Sequence, residues 1–295
     1  STGFHVLRAN EDVEPHWLYY AVQSSSFVKA MCDLVQGALY PAVRPKDIRE
    51  YAISPPPLAK QREIVAELEK QFSRLDEAVT NLQRVKANLK RYERATIQSL
   101  TNPESFAPAV TGSIADIAIS LDNMRKPVNK TERAKRPGNI PYLGANGPTG
   151  TIDKPLFDEE LVLVVEDETF VGRTAPFSYY FSGKCWVNNH THVLRARPNV
   201  TLAKYLNLAL SYYPFTPLTT GSTGRRKLTK AALMTAPICV PSLADQTRVV
   251  AEVDRHLSII REVETEVEAN LQRAQALRQA TLAAAFGPNS KPYQP

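Results

Sequence analysis

One tract of the sequence combines hydroxyl groups, cations and glycine in a way that suits phosphate chemistry. It reads TTGSTGRRK over residues 219–227 and ends in Arg225, Arg226 and Lys227. Lysine and arginine neutralise phosphates, and the glycines and hydroxyls predict a flexible loop. Because the three adjacent cations have no obvious internal partner in the sequence, a phosphate contact is favoured over a plain solvated loop.

Two glycine-rich or proline-rich motifs lack the residues that would make them enzyme loops. The glycine cluster GANGPTG at 144–150 has no Lys-Ser/Thr pair of the kind that a nucleotide-binding P-loop requires, so it is interpreted as a turn. An adenine methyltransferase needs an Asp/Asn-Pro-Pro-Tyr/Phe loop, but the proline run 55–57 is preceded by serine and followed by leucine. The sequence therefore predicts neither a nucleotide site nor a methyltransferase centre.

Histidines and acidic residues are also present without the neighbours that metal chemistry needs. His190 and His192 fall on one face of a predicted strand, but no third metal ligand lies nearby in sequence. The acidic run 166–168 lacks the lysine two positions on that is typical of a nuclease, which favours a solvated loop. We therefore expect no metal site and no catalytic residue in this chain.

Composition sets broad limits on the class of protein. The 295 residues carry 36 Lys and Arg against 30 Asp and Glu, a net charge of +6 that is compatible with nucleic acid but weak on its own. The three cysteines are scattered, so neither a disulfide framework nor a zinc site is indicated, and we expect buried thiols. No apolar run is long enough to span a membrane, and no signal peptide is visible, which predicts a soluble intracellular protein. The chain opens on Ser-Thr-Gly, so we expect it to derive from a longer protein.

A long internal repeat organises the chain. The matched segments are His5–Arg8 with His192–Arg195, ISPPPLAKQ at 53–61 with ICVPSLADQ at 238–246, and Ala95–Ile97 with Ala280–Leu282. The offset is about 185 residues throughout. Each copy runs from a short strand ending in arginine through a helix, a strand and a proline-rich corner to a long polar helix.

The long helices follow from a heptad spacing of apolar residues. In the first copy the seam is Val65, Leu68, Phe72, Leu75, Val79, Leu82 and Leu89, broken by Lys86. In the second it is Val250, Val253, Leu257, Ile260, Val267, Leu271 and Ala274, with Glu264 in a seam position. Each helix is predicted to run for about 43 residues, or about 65 Å. Because one chain holds two matched stripes, an intramolecular antiparallel pair is favoured over a coiled-coil dimer.

The region between the long helices has the pattern of a compact α+β domain. Residues 104–240 lose the heptads and gain turn dipeptides between short β-rich runs such as 161–165. The predicted fold class is therefore α+β, with β-rich domains alternating with two long helices that pair as an antiparallel coiled coil.

The repeat and the corner PPPLAKQREIVAEL resemble the specificity subunit of type I restriction-modification systems. In that family two target recognition domains alternate with two long helices. The resemblance implies that residues 1–56 are the C-terminal part of a first recognition domain that lacks most of its length. It assigns 57–102 to the first helix, 103–240 to a second recognition domain, 241–288 to the second helix and 289–295 to a tail. The second corner departs from the pattern, since Pro241-Ser242 replaces the proline pair.

The resemblance implies that loops between the β-strands contact DNA bases. The candidates are Asn146, Thr149, Arg173, Asn188, Asn189, His190, Arg225, Arg226 and Lys227, with Tyr40, Arg44 and Lys46 as counterparts in the first domain. Alternatives stay open for several of them. Arg173 is also explained by pairing with nearby acids, and Asn146 by an Asn-Gly turn. For the segment 188–190, base contact and structural hydrogen bonding are equally compatible with the sequence.

The same resemblance implies the partners. They are double-stranded DNA, methyltransferase subunits, of which two are expected, and restriction or translocase subunits, in the cytoplasm of a prokaryote. S-adenosylmethionine is expected in the methyltransferase, and no cofactor is expected in this chain. Two different reading domains held apart by stiff helices predict a bipartite, asymmetric site with a fixed spacer. The alternatives are a coiled-coil adaptor with a β-rich protein-binding module and, less favoured, a stand-alone enzyme such as a nuclease.

Overall fold

The computed structural model of the chain describes residues 4–35, 42–106, 110–168, 170–221 and 226–287. The chain divides into two compact units, the first formed by residues 1–89 and 262–295 and the second by residues 90–261. Two helices of more than forty residues, α4 (Leu58–Leu100) and α9 (Leu243–Phe286), contribute to both units. Neither helix contains proline or glycine in its interior, which is why each continues without a break.

The first unit consists of short helices packed on parts of the two long ones. The short helices are α1 (Pro15–Ala21), α2 (Ser25–Asp33) and α3 (Pro45–Glu50). Trp17 and Tyr20 of α1 pack with Phe72 of α4 and Leu282 of α9 in one apolar cluster. The Arg278 guanidinium lies 4.3 Å from the Phe72 ring centroid. Because a residue early in α4 meets one late in α9, the two helices run antiparallel in this unit.

Lys86, which interrupts the predicted seam of α4, has a partner on α9. Its Nζ lies 2.8 Å from a carboxylate oxygen of Glu268. The hydrogen bond that Lys86 donates to Glu268, together with the charge of Glu268 and a smaller contribution from the charge of Glu264, raises the pKa of Lys86. The polar break in one helix is therefore matched by acidic residues on the other.

The second unit contains the described strands and the remaining helices. The strands are β1 (Val110–Ser113), β2 (Ala118–Ser120), β3 (Ile140–Gly144), β4 (Gly147–Ile152), β5 (Phe157–Val165), β6 (Asp167–Glu168), β7 (Ser178–Val187), β8 (Thr191–Ala196), β9 (Arg226–Lys227) and β10 (Pro237–Val240). The helices are α5 (Ile114–Ile117), α6 (Lys130–Ala134), α7 (Ala203–Ser211) and α8 (Lys230–Thr235). One-turn 3-10 helices span Pro103–Ser105, Asp122–Met124 and Thr216–Leu218.

The main sheet of this unit has the strand order β2-β8-β5-β7-β3-β4. Its described pairings are antiparallel except that of β3 with β7, which is parallel. The pairs β1-β10 and β6-β9 form two smaller ribbons. Because β3 and β7 are parallel, the loop that follows each strand emerges at the same edge of the sheet.

The central strand β5 explains where the core lies. Its residues 161–165 are apolar without alternation, and all of them are buried. Val162 and Val164 pack with Leu206 of α7 on one face, whereas Leu161 and Leu163 pack with apolar residues on the other. A continuous apolar strand is therefore covered on both faces.

The two long helices also run antiparallel within the second unit. Ile97 of α4 packs with Val249 and Val253 of α9, and the Tyr92 hydroxyl lies 3.0 Å from Nδ1 of His256. The predicted seam is corrected in one place, since Val249 is buried whereas Val250 is only partly so. The predicted α+β class with an antiparallel pair of long helices is confirmed.

The predicted internal repeat is visible in matching hydrogen bonds at the two corners. Gln61 Oε1 accepts from the backbone N–H of Glu14, and its Nε2 donates to the carbonyls of Asp12 and Pro56. Gln61 is 1% exposed, so it joins the start of α1 to the proline corner from a buried position.

Gln246 makes the same set of contacts in the second unit. Its Oε1 accepts from the backbone N–H of Leu202, 2.8 Å away, and its Nε2 donates to the carbonyls of Val200 and Pro241. It is fully buried, and its Oε1 also accepts from the Thr201 hydroxyl. In each copy, a buried glutamine thus links the start of a short helix to the proline corner before the long helix by hydrogen bonds. We call this link the glutamine bracket.

The cysteine expectation needs one correction. Cys185 and Cys239 are buried, and burial raises the pKa of both thiols, that of Cys185 to about 12. Cys32, in contrast, is exposed on α2. Only two of the three are therefore the buried thiols that the sequence predicted.

Candidate nucleic-acid interface

A cleft of about 380 Å³ lies in the second unit beside the ends of β3 and β7. It is lined by Pro127, Val128, Asn129, Lys130, Arg133, Tyr142, Thr149, Asn188, Asn189 and His190. Four of these residues, Thr149 and the segment 188–190, were predicted from the sequence as DNA contacts. The structure therefore brings candidates from strand β4 and from the turn between β7 and β8 to one cleft.

Asn188 and Asn189 differ sharply in what their side chains do. Asn188 Oδ1 accepts from the backbone N–H of His190 at 3.0 Å and from the Thr191 hydroxyl at 3.4 Å, so it stabilises the turn between β7 and β8. Asn189 is exposed, and its amide has no hydrogen-bond partner among the residues that the structure describes. Structural hydrogen bonding, one of the two alternatives that the sequence left open, is therefore observed for Asn188, and base contact by Asn189 stays a prediction.

The ring of His190 is oriented by an acidic neighbour. Its Nδ1 lies 2.7 Å and 2.9 Å from the two carboxylate oxygens of Asp167, which begins β6. A carboxylate accepts, so Nδ1 carries the proton in this geometry, and Nε2 is left as the atom available to an outside group. In the neutral ring that nitrogen is an acceptor.

The cationic wall of the cleft was missed by the sequence reasoning. Arg133 lies over the Tyr142 ring at 4.3 Å from its centroid, and Lys130 at the start of α6 is exposed. Thr149 also lines the cleft and donates its hydroxyl to the carbonyl of Tyr142 at 3.3 Å. A signal was available, because the segment KPVNKTERAKR at 126–136 concentrates cations.

A buried group of charges lies behind the cleft. His192 is 1% exposed, with Nδ1 2.6 Å from a carboxylate oxygen of Asp122 and Nε2 2.8 Å from the carbonyl oxygen of Leu228. Arg125 donates to Glu166, whose carboxylate is also 3.9 Å from the same Nδ1. We refer to Asp122, Arg125, Glu166 and His192 as the buried charge cluster.

The carboxylates of this cluster are held in their charged forms. Burial alone would raise the pKa of Asp122, but hydrogen bonds from His192 and the backbone N–H of Val193 outweigh it and lower the pKa. Burial likewise opposes ionisation of Glu166, and the hydrogen bonds from Arg125 and Lys227 lower its pKa. The expectation that the acidic run 166–168 is a solvated loop is therefore wrong at Glu166, which is buried.

The cations 225–227 do not match the expectation of unpaired side chains. Arg226 donates from Nε to the Thr219 hydroxyl and from a terminal nitrogen to the Thr219 carbonyl at 2.8 Å. Lys227 pairs with Glu166 at 3.1 Å while its side chain stays half exposed. The premise of no internal partner is wrong for these two residues, and Arg225 lies outside the described residues.

Asn146 and Arg173 contact each other. A terminal nitrogen of Arg173 donates to Asn146 Oδ1 at 2.7 Å and to the carbonyl of Pro176 at 2.8 Å. These bonds join the turn between β3 and β4 to the loop before β7. Both residues are thus part of the loop scaffold beside the cleft.

The candidates of the first unit have local partners on α3. Arg44 forms a bidentate pair with Asp47, and Lys46 lies 3.6 Å from a carboxylate oxygen of Glu50. The hydrogen bond from Arg44 lowers the pKa of Asp47. Tyr40 lies outside the described residues.

In the described part of the chain, no group of three or more His, Cys, Asp or Glu side chains is arranged to hold a metal ion. No helix in that part combines the length and the apolar character that crossing a membrane requires.

Comparison with known proteins identifies the family. The family model for the type I restriction modification DNA specificity domain matches residues 1–90 and 109–273. The chain belongs to this family. A Haemophilus influenzae protein provisionally named as a type I restriction enzyme specificity subunit is 35% identical over 142 residues. That match covers 47% of this chain and 35% of the relative, so the chain spans about a third of its length.

Two solved structures share the fold. A chain from a study of complex assembly and conformational transition of the type I R-M system aligns with a TM-score of 0.73 and 23% identity, covering 98% of this chain and 75% of that chain. The crystal structure of the HsdS subunit from Thermoanaerobacter tengcongensis aligns with a TM-score of 0.54 and 23% identity, covering 98% and 74%. At this identity the likeness is one of fold.

Proposed function

We propose that this chain reads DNA sequence for a type I restriction-modification complex whose other subunits carry out the chemistry. The observation that carries the proposal is the cleft in the second unit, where Asn189 and His190 present polar groups beside Lys130 and Arg133. Membership in a family of DNA specificity domains supports it. The chain contributes recognition, and no step of bond breaking is assigned to its residues.

The cleft has the two kinds of group that sequence reading needs. A side-chain amide pairs with adenine N6 and N7 in the major groove, and an acceptor nitrogen such as His190 Nε2 pairs with an amino group of adenine or cytosine. Cations bind phosphates and set the register of the protein on the duplex without reading bases. Asn189 and His190 are therefore the proposed base contacts, and Lys130 and Arg133 the proposed phosphate contacts.

Thr149 and the remaining candidates take supporting roles in this proposal. Thr149 lies at the cleft edge with its hydroxyl engaged, Asn188 shapes the turn, and Asn146 with Arg173 holds the neighbouring loops. Arg225, Arg226 and Lys227 remain proposed phosphate contacts, and Tyr40, Arg44 and Lys46 remain proposed DNA contacts of the first domain.

The partners follow from the family. Methyltransferase subunits, two in number, would bind S-adenosylmethionine and modify adenine, and restriction subunits would cleave unmodified DNA. A solved relative with the same fold comes from a study of complex assembly of the type I R-M system. The two different reading domains predict a bipartite and asymmetric target.

The test is to sequence the methylome of cells that co-express the full-length gene with its partner methyltransferase gene. We expect a bipartite methylated-adenine motif that is absent from cells expressing the methyltransferase alone. Asn189→Ala should relax one half of the motif and leave the other half unchanged. If an active, assembled complex methylates no defined motif, the reading function is refuted.

A further inference from the structure

The buried charge cluster is connected to two of the segments that carry proposed DNA contacts, the turn 188–191 and the segment that contains Lys227. One terminal nitrogen of Arg125 donates to the backbone carbonyls of Thr191 at 2.8 Å and Asn189 at 3.3 Å, as well as to Glu166. Glu166 in turn accepts from Lys227 at 3.1 Å. Arg125 is thus hydrogen-bonded both to the main chain of the turn 188–191 and to the carboxylate that pairs with Lys227.

The backbone of Glu166 adds a second pair of links. Its N–H donates to the carbonyl of His190 at 3.2 Å, and its carbonyl accepts from the N–H of Leu228 at 2.8 Å. The segments around His190 and Leu228 are therefore fixed to one residue through both side chain and main chain. Their mutual position depends on where Glu166 lies, and Arg125 fixes that carboxylate.

His192 completes the cluster through two contacts. Its Nδ1 lies 2.6 Å from a carboxylate oxygen of Asp122, and its Nε2 lies 2.8 Å from the carbonyl oxygen of Leu228. The ring therefore connects the 3-10 helix that contains Asp122 to the backbone beside Lys227.

We propose that Arg125 is a positioning residue for sequence recognition, acting through the backbone of the turn 188–191 and through Glu166. The inference rests on the proposed reading function. The Arg125 side chain is only 14% exposed, so its described contacts are with protein groups behind the cleft. It determines where Asn189 and His190 are placed rather than touching DNA itself.

A residue that positions base contacts and a residue that contributes only general DNA affinity differ in how their replacement changes binding to motif and non-motif DNA. A base contact requires a donor and an acceptor to meet within a few tenths of an ångström, whereas a lysine on a phosphate tolerates displacement and reads no sequence. If Arg125 fixes the turn, its replacement weakens binding to the target motif and leaves binding to other sequences intact. A residue needed only for folding would lower both affinities in parallel.

The experiment uses the assembled complex with its methyltransferase subunits and two labelled duplexes, one with the motif found by methylome sequencing and one scrambled. Arg125→Lys keeps the charge but loses the planar fork, and the double variant Arg125→Met/Glu166→Gln removes both charges together so that neither is left unpaired. We expect the ratio of motif affinity to scrambled affinity to fall about 10- to 100-fold. Affinity for the scrambled duplex should stay within about twofold.

The matched control is Arg195→Gln. Arg195 forms a forked ion pair with Glu159 on neighbouring strands of the same sheet, away from the cleft lining. This variant should keep the wild-type affinity ratio. The same assay also separates the two proposals, since a wild-type complex without motif preference rejects the reading function before Arg125 is tested.

Two results would overturn the positioning role of Arg125. One is a folded Arg125→Lys or double variant with the wild-type ratio and motif. The other is an equal fall in affinity for the motif duplex and for the scrambled duplex in every Arg125 variant. Failure of every variant to fold or assemble counts as the same result. That pattern identifies a residue that is needed only for the folded domain.

Discussion

Gln61 and Gln246 occupy equivalent positions in the internal repeat, and each bridges the start of a short helix to the proline corner of a long one. Each has its amide oxygen on a backbone N–H and its amide nitrogen on two backbone carbonyls. A side-chain amide offers an acceptor oxygen and two N–H donors, so one glutamine satisfies all three backbone groups at once. The internal sequence repeat thus corresponds to a repeated set of buried hydrogen bonds made by one glutamine in each copy.

Gln246→Ala should destabilise the protein strongly. It leaves the carbonyls of Val200 and Pro241 and the N–H of Leu202 without their partner in a buried position, a cost of about 2–3 kcal/mol. Urea unfolding followed by circular dichroism measures it. Gln98→Ala, at an exposed position on α4, is the control and should change the unfolding free energy by less than about 0.5 kcal/mol. Equal effects from the two variants would show that Gln246 is not a bracket.

Asn188→Ala and Asn189→Ala should separate stability from recognition. The first removes the oxygen that caps the turn and should cost about 1 kcal/mol of folding stability. The second removes an exposed amide and should leave the melting temperature unchanged while reducing discrimination at one base pair by about 1–3 kcal/mol. Thermal melts and binding to single-base variants of the motif test both. A stability loss from Asn189→Ala would contradict the assignment.

Lys130→Ala should weaken DNA binding without changing sequence preference. A phosphate contact releases about one condensed cation, so the slope of log affinity against log salt should become shallower by about one unit. Fluorescence anisotropy over a salt series gives the slope for the motif and for a scrambled duplex. Lys184→Ala, an exposed lysine on β7 outside the cleft lining, is the control. A change in the preferred motif would instead make Lys130 a base contact.

The buried charge cluster predicts sensitivity to acid. The pKa of Asp122 is lower in the folded protein than its ordinary value of 3.8, and that of Glu166 is lower than 4.5. The stability that these carboxylates contribute is fully present above those ordinary values, and it is lost as pH falls through the lowered folded values. Unfolding free energy should therefore drop steeply below about pH 4.5.

Asp122→Asn tests this linkage. The variant should be less stable at neutral pH and should lose stability less steeply between pH 5 and pH 3 than the wild-type protein, since one carboxylate no longer takes up a proton. Asp254→Asn, at an exposed carboxylate 3.6 Å from Lys204, should leave the slope unchanged. An unchanged slope in Asp122→Asn would show that this carboxylate does not contribute to the acid response.

The architecture could be predicted because it depends on periodicity along the chain. The heptad spacing from Val65 to Leu89 predicts a long helix with one apolar face, and the structure confirms it. The repeat offset predicted the matching position of Gln246. Local spacing carries this information because helix packing depends on residues three and four apart.

The cleft could be predicted only in part. Thr149 and the segment 188–190 follow turn signals and were found, but Lys130 and Arg133 were missed within a visible run of cations. No pattern of neighbouring residues in the sequence predicts the buried charge cluster. Arg125 meets Glu166 across 41 positions of sequence, and an acidic run such as 166–168 has the same composition whether it is solvated or buried.

The bracket formed by each buried glutamine has a consequence for how such proteins diversify. Because the joint uses mainly backbone atoms, with the Thr201 hydroxyl as the one side chain described on Gln246, it places little demand on the side chains of the module that precedes it. Genetic exchange with its crossover at the proline corner would bring in a foreign module together with the same joint. Exchange of the module before the proline corner can therefore change the DNA sequence that we propose is recognised, while the glutamine joint to the long helix is retained.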